Sequence, residues 1–343
     1  TGGDMGAHIV AIDTFIKDFM PNFQINGWSN DWFGGYPLYY FYFPLPAIVT
    51  FFLNLIFPFG IAFKIMVVLS IILIVYSIEK LMRKTSNQIS IYGATAGLFY
   101  VFTESFTIYG GNLASTLAGQ FSFGYSLAFA NLSIFYLLKS KNNFRFPISS
   151  IFLALCLLSH LIPFIIYSPI YAFYWLLRKQ NFNQKILSIS IFLALVSRWS
   201  TSLIMNLEYT TNMSYTPFSR VEDLIKKDIL PIIFILIGLL ITKHKNLIKN
   251  KTLNLFELYL IFSSILLYFF VPEGALWNGR LVPFFNLGII LLFFKAVEIF
   301  IEDIYLYQQG LNVLTLLFFG GTVYCMYIFY EKWSANQSYL NVY

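Results

Sequence analysis

The chain has 343 residues, 58% hydrophobic, 20% aromatic and only 11% charged, with a mean hydropathy of +0.69; soluble domains carry about a quarter charged residues. It cannot cover an aqueous surface, which excludes an ordinary soluble enzyme, a disordered chain and a nucleic-acid binder with a basic face. A polytopic membrane protein remains, and its net charge of +6 reads as topology rather than as a sign of an anionic partner.

Residues 1–60 read as a first external loop. Gly2 and Gly3 precede Asp4, and His8 follows four positions later, so a helix starting near Asp4 places both on one face, one turn apart. Asp4 is then either a helix cap or a general base with an imidazole neighbour. Ile9, Ile12, Phe15, Ile16 and Phe19 would form an apolar face resting on the membrane, with Asp13 and Asp18 solvated. Further on, Trp28 and Trp32 read as interface anchors or, second, as a surface for sugar stacking, and Asp31 either caps a turn or hydrogen-bonds a hydroxylated acceptor. The run 37–57 is apolar enough to cross, but Pro44 and Pro46 break its start, so a re-entrant or interfacial helix is expected. The chain opens on Thr with no signal segment ahead of it, and reads as a fragment lacking an upstream membrane helix.

Apolar runs of about 17–25 residues predict spans at 61–81, 90–109, 121–138, 185–206, 225–242, 253–271, 283–301 and 311–330. The stretch 147–178 holds two more, bent at Ser159–Pro163. With ten spans the basic loops alternate, 14 of 22 Lys and Arg falling on one side, which is the cytoplasmic one. Residues 1–343 read as one membrane domain, with 1–60 as its first external loop, 61–330 as the bundle and 331–343 as the start of a truncated external segment. Cys156 and Cys325 sit in apolar runs and read as small buried hydrophobes.

The external segments hold the remaining candidates. Glu104 is either an interfacial acid or a site residue, and Gln120 offers its amide at the mouth of the next span. His160, at the tip of the bend, is a polar tip or a ligand. Arg280 either snorkels or makes bidentate phosphate contacts. Arg198, within a span, should face the protein interior and pair with a carboxylate or an anionic ligand. Three histidines leave no zinc-like cluster; a divalent cation held by Asp4 and other acids stays open.

The segments GGDMGAH, SNDWFGGYPLYYFYFPLP, GGNLASTLAGQFSFGYSL, LSHLIPF, YTTNMSY and LWNGRLVPF occur in an order that resembles the membrane proteins labelled 6-pyruvoyl-tetrahydropterin synthase-related. Pterin chemistry would need a soluble domain with histidine-bound zinc. The family resembles instead the C-type membrane glycosyltransferases, which use polyprenyl-phosphate sugars at the outer membrane face. That resemblance implies a catalytic acid in the first external loop, which Asp4 matches, and a second acidic position where this chain carries Gln120. It also implies a multi-pass protein of a prokaryotic plasma membrane, with membrane lipid as its setting.

The function expected is sugar transfer from a polyprenyl-phosphate carrier to a glycan, lipid or protein acceptor hydroxyl at the external face, without a covalent intermediate. Asp4 would be the base, His8 its orienting neighbour and Arg280 the cation at the leaving phosphate, with Arg198 a weaker candidate. Rival readings are a transporter or lipid flippase, marked by charged or broken positions near span centres, and a non-catalytic subunit suggested by Gln120.

Overall fold

The computed structural model describes residues 2–31, 34–83, 90–103, 108–139, 145–211, 217–218, 221–225, 229, 232–233, 236, 255–271 and 276–305. Glu104, His244, Cys325, the span 311–330 and most of 225–242 lie outside them.

The architecture is all-α and polytopic, apart from one short antiparallel ribbon. Helix α1 (Met5–Thr14) runs on into a π-helical turn (Phe15–Phe19). The ribbon pairs β1 (Gly27–Ser29) with β2 (Tyr36–Leu38), and α2 (Leu45–Asn54) follows. The bundle comprises α3 (Phe59–Met82), α4 (Ile91–Phe102), a single turn α5 (Leu113–Ser115), α6 (Phe121–Leu138), α7 (Arg145–Ser159), α8 (Leu161–Leu177) and α9 (Phe182–Met205). After a short α10 (Val221–Leu224), α11 (Leu255–Phe270) and α12 (Val282–Tyr305) complete the described part. Helices at Phe59–Met82, Leu113–Leu138, Phe182–Met205 and Asn278–Ile299 are long and apolar enough to cross a membrane.

Eight of the ten expected spans coincide with described helices. The bend falls where the sequence places it: α7 stops at Ser159, and His160 opens α8 by accepting the Ile162 N–H on Nδ1 at 3.2 Å. Helix α2 has only ten residues, about 15 Å, half of a bilayer core, so it does not cross. Its end exposes Phe52, Leu55, Ile56 and Phe57, as an interfacial helix does.

Packing relies on small residues and on buried polar ties. Gly93 and Gly97, four apart on α4, lie so close to α3 that a Cβ on either would come within 2.9 Å of the Glu79 or Val75 backbone. Asn131 joins three helices: its amide donates to Ser77 Oγ at 3.1 Å and accepts the Tyr167 hydroxyl at 2.6 Å. Ser126 Oγ donates to the Cys156 and His160 carbonyls, both at 2.9 Å, fixing the α7/α8 bend against α6. Cys156 is fully buried there, as its sequence context predicts.

Two expectations are corrected. Ile12, Phe15 and Phe19 do not rest on the membrane: they are buried against Tyr39, Phe63 and Phe121, while Ile9 is exposed. An apolar helix face has no means of specifying lipid over protein, and here the loop at Tyr39 together with α3 and α6 supplies the protein. Arg198 is exposed rather than interior, and its Nη2 donates to the Phe23 carbonyl at 2.8 Å. That bond ties the first loop to α9, helped by Asn26 donating to Ser202 Oγ at 2.7 Å.

Candidate active site

Three distant segments meet at the N-terminal end of α1. Gly3, at φ +60, and Gly119, at φ +107, allow two backbones to touch: the Asp4 N–H donates to the Ala118 carbonyl at 3.0 Å. A Cβ on Gly3 would sit 2.5 Å from the Ala118 oxygen, and one on Gly119 would sit 3.1 Å from Asp4 Cβ and 3.2 Å from His8 Cδ2. Both glycines are therefore required by positive φ and by close approach. The turn Thr116–Gln120 is π-helical with a kink at Gly119, and it delivers Gln120 beside α1.

Asp4 occupies the cap position of α1 but its carboxylate caps nothing, so the plain capping role fails. The carboxylate is exposed and instead faces the amide of Gln120, whose Nε2 lies 3.5 Å from Asp4 Oδ2. Gln120 Oε1 accepts from Arg280 Nη1 at 2.7 Å. Arg280 Nη1 also donates to the Tyr109 carbonyl at 3.2 Å. The guanidinium is held by a 3₁₀ turn (Asn278–Leu281) that Asn278 anchors, donating to the Phe218 carbonyl at 2.7 Å and accepting from its N–H at 2.9 Å. Tyr109, Phe218 and Trp277 form an aromatic wall beside it, with centroids 5.3–5.8 Å apart.

His8 is one turn beyond Asp4 on the same face, as expected. Burial lowers its pKa below 6.5, partly opposed by the Asp4 charge and by a hydrogen bond with the Gly119 backbone. Its Nε2 is buried without a partner, among the rings of Phe121 (4.8 Å) and Tyr42 (5.5 Å). Among the described residues no hydrogen bond joins the His8 and Asp4 side chains, so His8 acts on Asp4 only through space.

Tyr42 is the residue the sequence reading missed. It sat in an aromatic run that reads as an interfacial belt, yet its carbonyl accepts from Trp199 Nε1 at 2.9 Å and its ring reaches the site. Burial pushes the phenol up to about 12, with the Arg280 charge opposing and the Asp4 charge adding. His160 lies close by, stacked on Phe43 at 4.8 Å. Burial, then the charge of Arg280, pushes its imidazole well below the usual histidine range. Because Nδ1 accepts the Ile162 N–H, the ring proton belongs on Nε2.

The structure thus gathers Asp4, His8, Gln120, His160 and Arg280, with Tyr42 added. Asp31 is not with them: its Oδ2 accepts from the Thr14 hydroxyl and from Ser29 Oγ at 3.2 Å. Thr14 is ten residues of helix from Asp4, about 15 Å, so Asp31 clasps the far end of α1. Arg198 is likewise spent on Phe23. Among the described residues no three His, Cys, Asp or Glu side chains gather as a cation site would need.

No family model matches the chain, and no curated protein matches it. The family named from the sequence motifs is therefore not shown. Among solved structures, the chain resembles the crystal structure of ArnT from Cupriavidus metallidurans bound to undecaprenyl phosphate. The fold is ArnT-like. The match has a TM-score of 0.50 and 14% sequence identity, covering 87% of this chain. The chain spans 56% of the length of ArnT. At that identity the likeness establishes the fold alone.

Proposed function

We propose that the chain is a membrane glycosyltransferase, moving a sugar from a polyprenyl-phosphate carrier to an acceptor hydroxyl at the external membrane face. The observation that carries this reading is Gln120, which spans from a free carboxylate to a guanidinium contributed by a loop 160 residues away. Sugar transfer from a lipid phosphate needs a base for the acceptor and a cation for the leaving phosphate, within a sugar's reach of each other. A second support is the ArnT-like fold, because ArnT was crystallised with undecaprenyl phosphate.

In this mechanism the acceptor oxygen attacks the anomeric carbon while Asp4 takes its proton. The bond from that carbon to the phosphate oxygen breaks, and its electron pair leaves on the lipid phosphate, whose growing charge Arg280 stabilises. Arg280 suits the task because its planar fork meets phosphate bidentately. The neutral His8 and Tyr42 give Asp4 a partly apolar flank without adding charge. Configuration inverts, since there is one displacement.

The test is incubation of the full protein in lipid nanodiscs with radiolabelled polyprenyl-phosphate sugars. Loss of donor, with lipid phosphate released and sugar transferred, supports the reading. Donor bound but never consumed would favour the non-catalytic alternative, and neither binding nor turnover would remove both. The transporter reading rests on Arg198 within a span, but that residue is exposed and bonded to the Phe23 carbonyl; the buried Glu257–Lys295 pair ties α11 to α12 and lines no described path.

A further inference from the structure

Along the α7/α8 hairpin, about 10–22 Å of helix from His160, a groove of about 200 Å³ opens between α7, α8 and α9. Its walls include Leu153, Tyr171, Ala172, Trp175, Ile189 and Phe192. Every polar atom on its floor is already bonded inside the protein. The Tyr171 hydroxyl meets Ser149 Oγ at 2.8 Å and Ser150 Oγ at 3.1 Å, Ser150 and Ser188 share a hydrogen bond, and Trp175 Nε1 donates to Ser188 Oγ at 3.2 Å. A polar solute would find no partner there, whereas an apolar chain would lose none. The surroundings are apolar too: Phe173, Leu176, Ile186 and Leu193 are exposed around the groove, as side chains facing lipid are.

The mouth is different. Between Glu104 and Glu208 the sequence contains no acidic residue, yet Arg178, Lys179 and Lys185 lie within the short connection and first turn that join α8 to α9. Lys185 Nζ stands 5.0 Å above the Trp175 ring, directly at the groove wall. Arg178 donates to the Leu138 carbonyl, which brings Lys139 to the same end. Cations at one end of an apolar slot complement an anionic headgroup with its acyl chain.

We propose that this groove binds an anionic glycerophospholipid, with an acyl chain along Leu153, Ala172 and Phe192 and its phosphate at Lys179 and Lys185. The site is separate from the one around Asp4 and does not depend on the reading of that site. Its occupant is a resident lipid that fills the space between α9 and the α7/α8 hairpin.

Trp175 is a built-in reporter. The full chain in mixed micelles is titrated with brominated phosphatidylglycerol or brominated phosphatidylcholine, and the Trp175 signal is taken as the difference between the wild type and Trp175→Phe. Phosphatidylglycerol should quench it with about tenfold higher apparent affinity, because its headgroup carries a net negative charge facing two lysines whereas the choline cation of phosphatidylcholine cancels that of its phosphate. Lys179→Gln with Lys185→Gln should bring the two lipids within about twofold, and Ala172→Phe, which fills the groove from an exposed position, should abolish quenching by both. Millimolar inorganic phosphate should leave the signal unchanged. Equal quenching by the two lipids, a preference that survives the double lysine change, or displacement by phosphate alone would each overturn the proposal.

Discussion

Gln120 accepts a hydrogen bond from Arg280 at 2.7 Å and turns its amide toward Asp4 at 3.5 Å, so one neutral side chain links a carboxylate to a guanidinium. A carboxylate in its place would pair with the arginine and repel the aspartate. The amide instead donates to one and accepts from the other.

The bridge can be cut without altering charge. A hydrogen bond to a charged group contributes about 1.5–3 kcal/mol, so Gln120→Leu should lower kcat/KM roughly 10- to 150-fold while the protein stays folded. Gln120→Glu should also lower the rate, because the new carboxylate pairs with Arg280 and sets a like charge against Asp4. Steady-state rates across pH 5–9 for both variants check this.

Arg280→Lys keeps the charge but loses the planar fork. Donor affinity should fall about tenfold or more, with a smaller change in acceptor KM, as measured by titrating a polyprenyl-phosphate sugar at saturating acceptor. An unchanged donor affinity would place the phosphate elsewhere.

Stability should depend on pH through His8. Its folded pKa lies below the ordinary 6.5, so the unfolded chain takes up the proton first, and the fold is stabilised above about pH 6.5 and loses that contribution as the pH falls. Thermal unfolding should therefore shift down between pH 7.5 and pH 5, and less so in His8→Phe. His160 pulls in the same direction, so the His8→Phe curve should be flatter, not flat.

Gly119→Ala places a Cβ against Asp4 and His8 at a φ of +107, which costs about 1–3 kcal/mol. Melting should drop accordingly, and because the added methyl displaces Asp4, turnover should fall further than the lost stability explains. Asp31→Asn and Arg198→Gln are the contrast: their partners are Thr14, Ser29 and Phe23, so turnover should stay within about threefold in a rate assay on folded protein.

Much of this was readable from residue order. The spans were legible because twenty apolar residues have few other uses, and the α7/α8 bend because His160 and Pro163 interrupt the run. Asp4, His8, Gln120 and Arg280 stood out as polar residues in glycine-rich segments outside the apolar runs. Their linkage did not, since it needs Gly3 and Gly119 to bring two backbones together, a contact between segments 116 residues apart. Tyr42 was hidden because an aromatic run at a membrane surface looks the same whether it meets headgroups or a site. Arg198 was misplaced because position within a span does not say which way a helix faces.

The most direct test is Asp4→Asn in nanodiscs with a polyprenyl-phosphate sugar the wild type consumes. The amide keeps the shape and removes the base, so turnover should fall by about two to four orders of magnitude with donor binding retained. An Asp4→Asn protein that transfers sugar at the wild-type rate would contradict the assignment of Asp4 and the mechanism built on it.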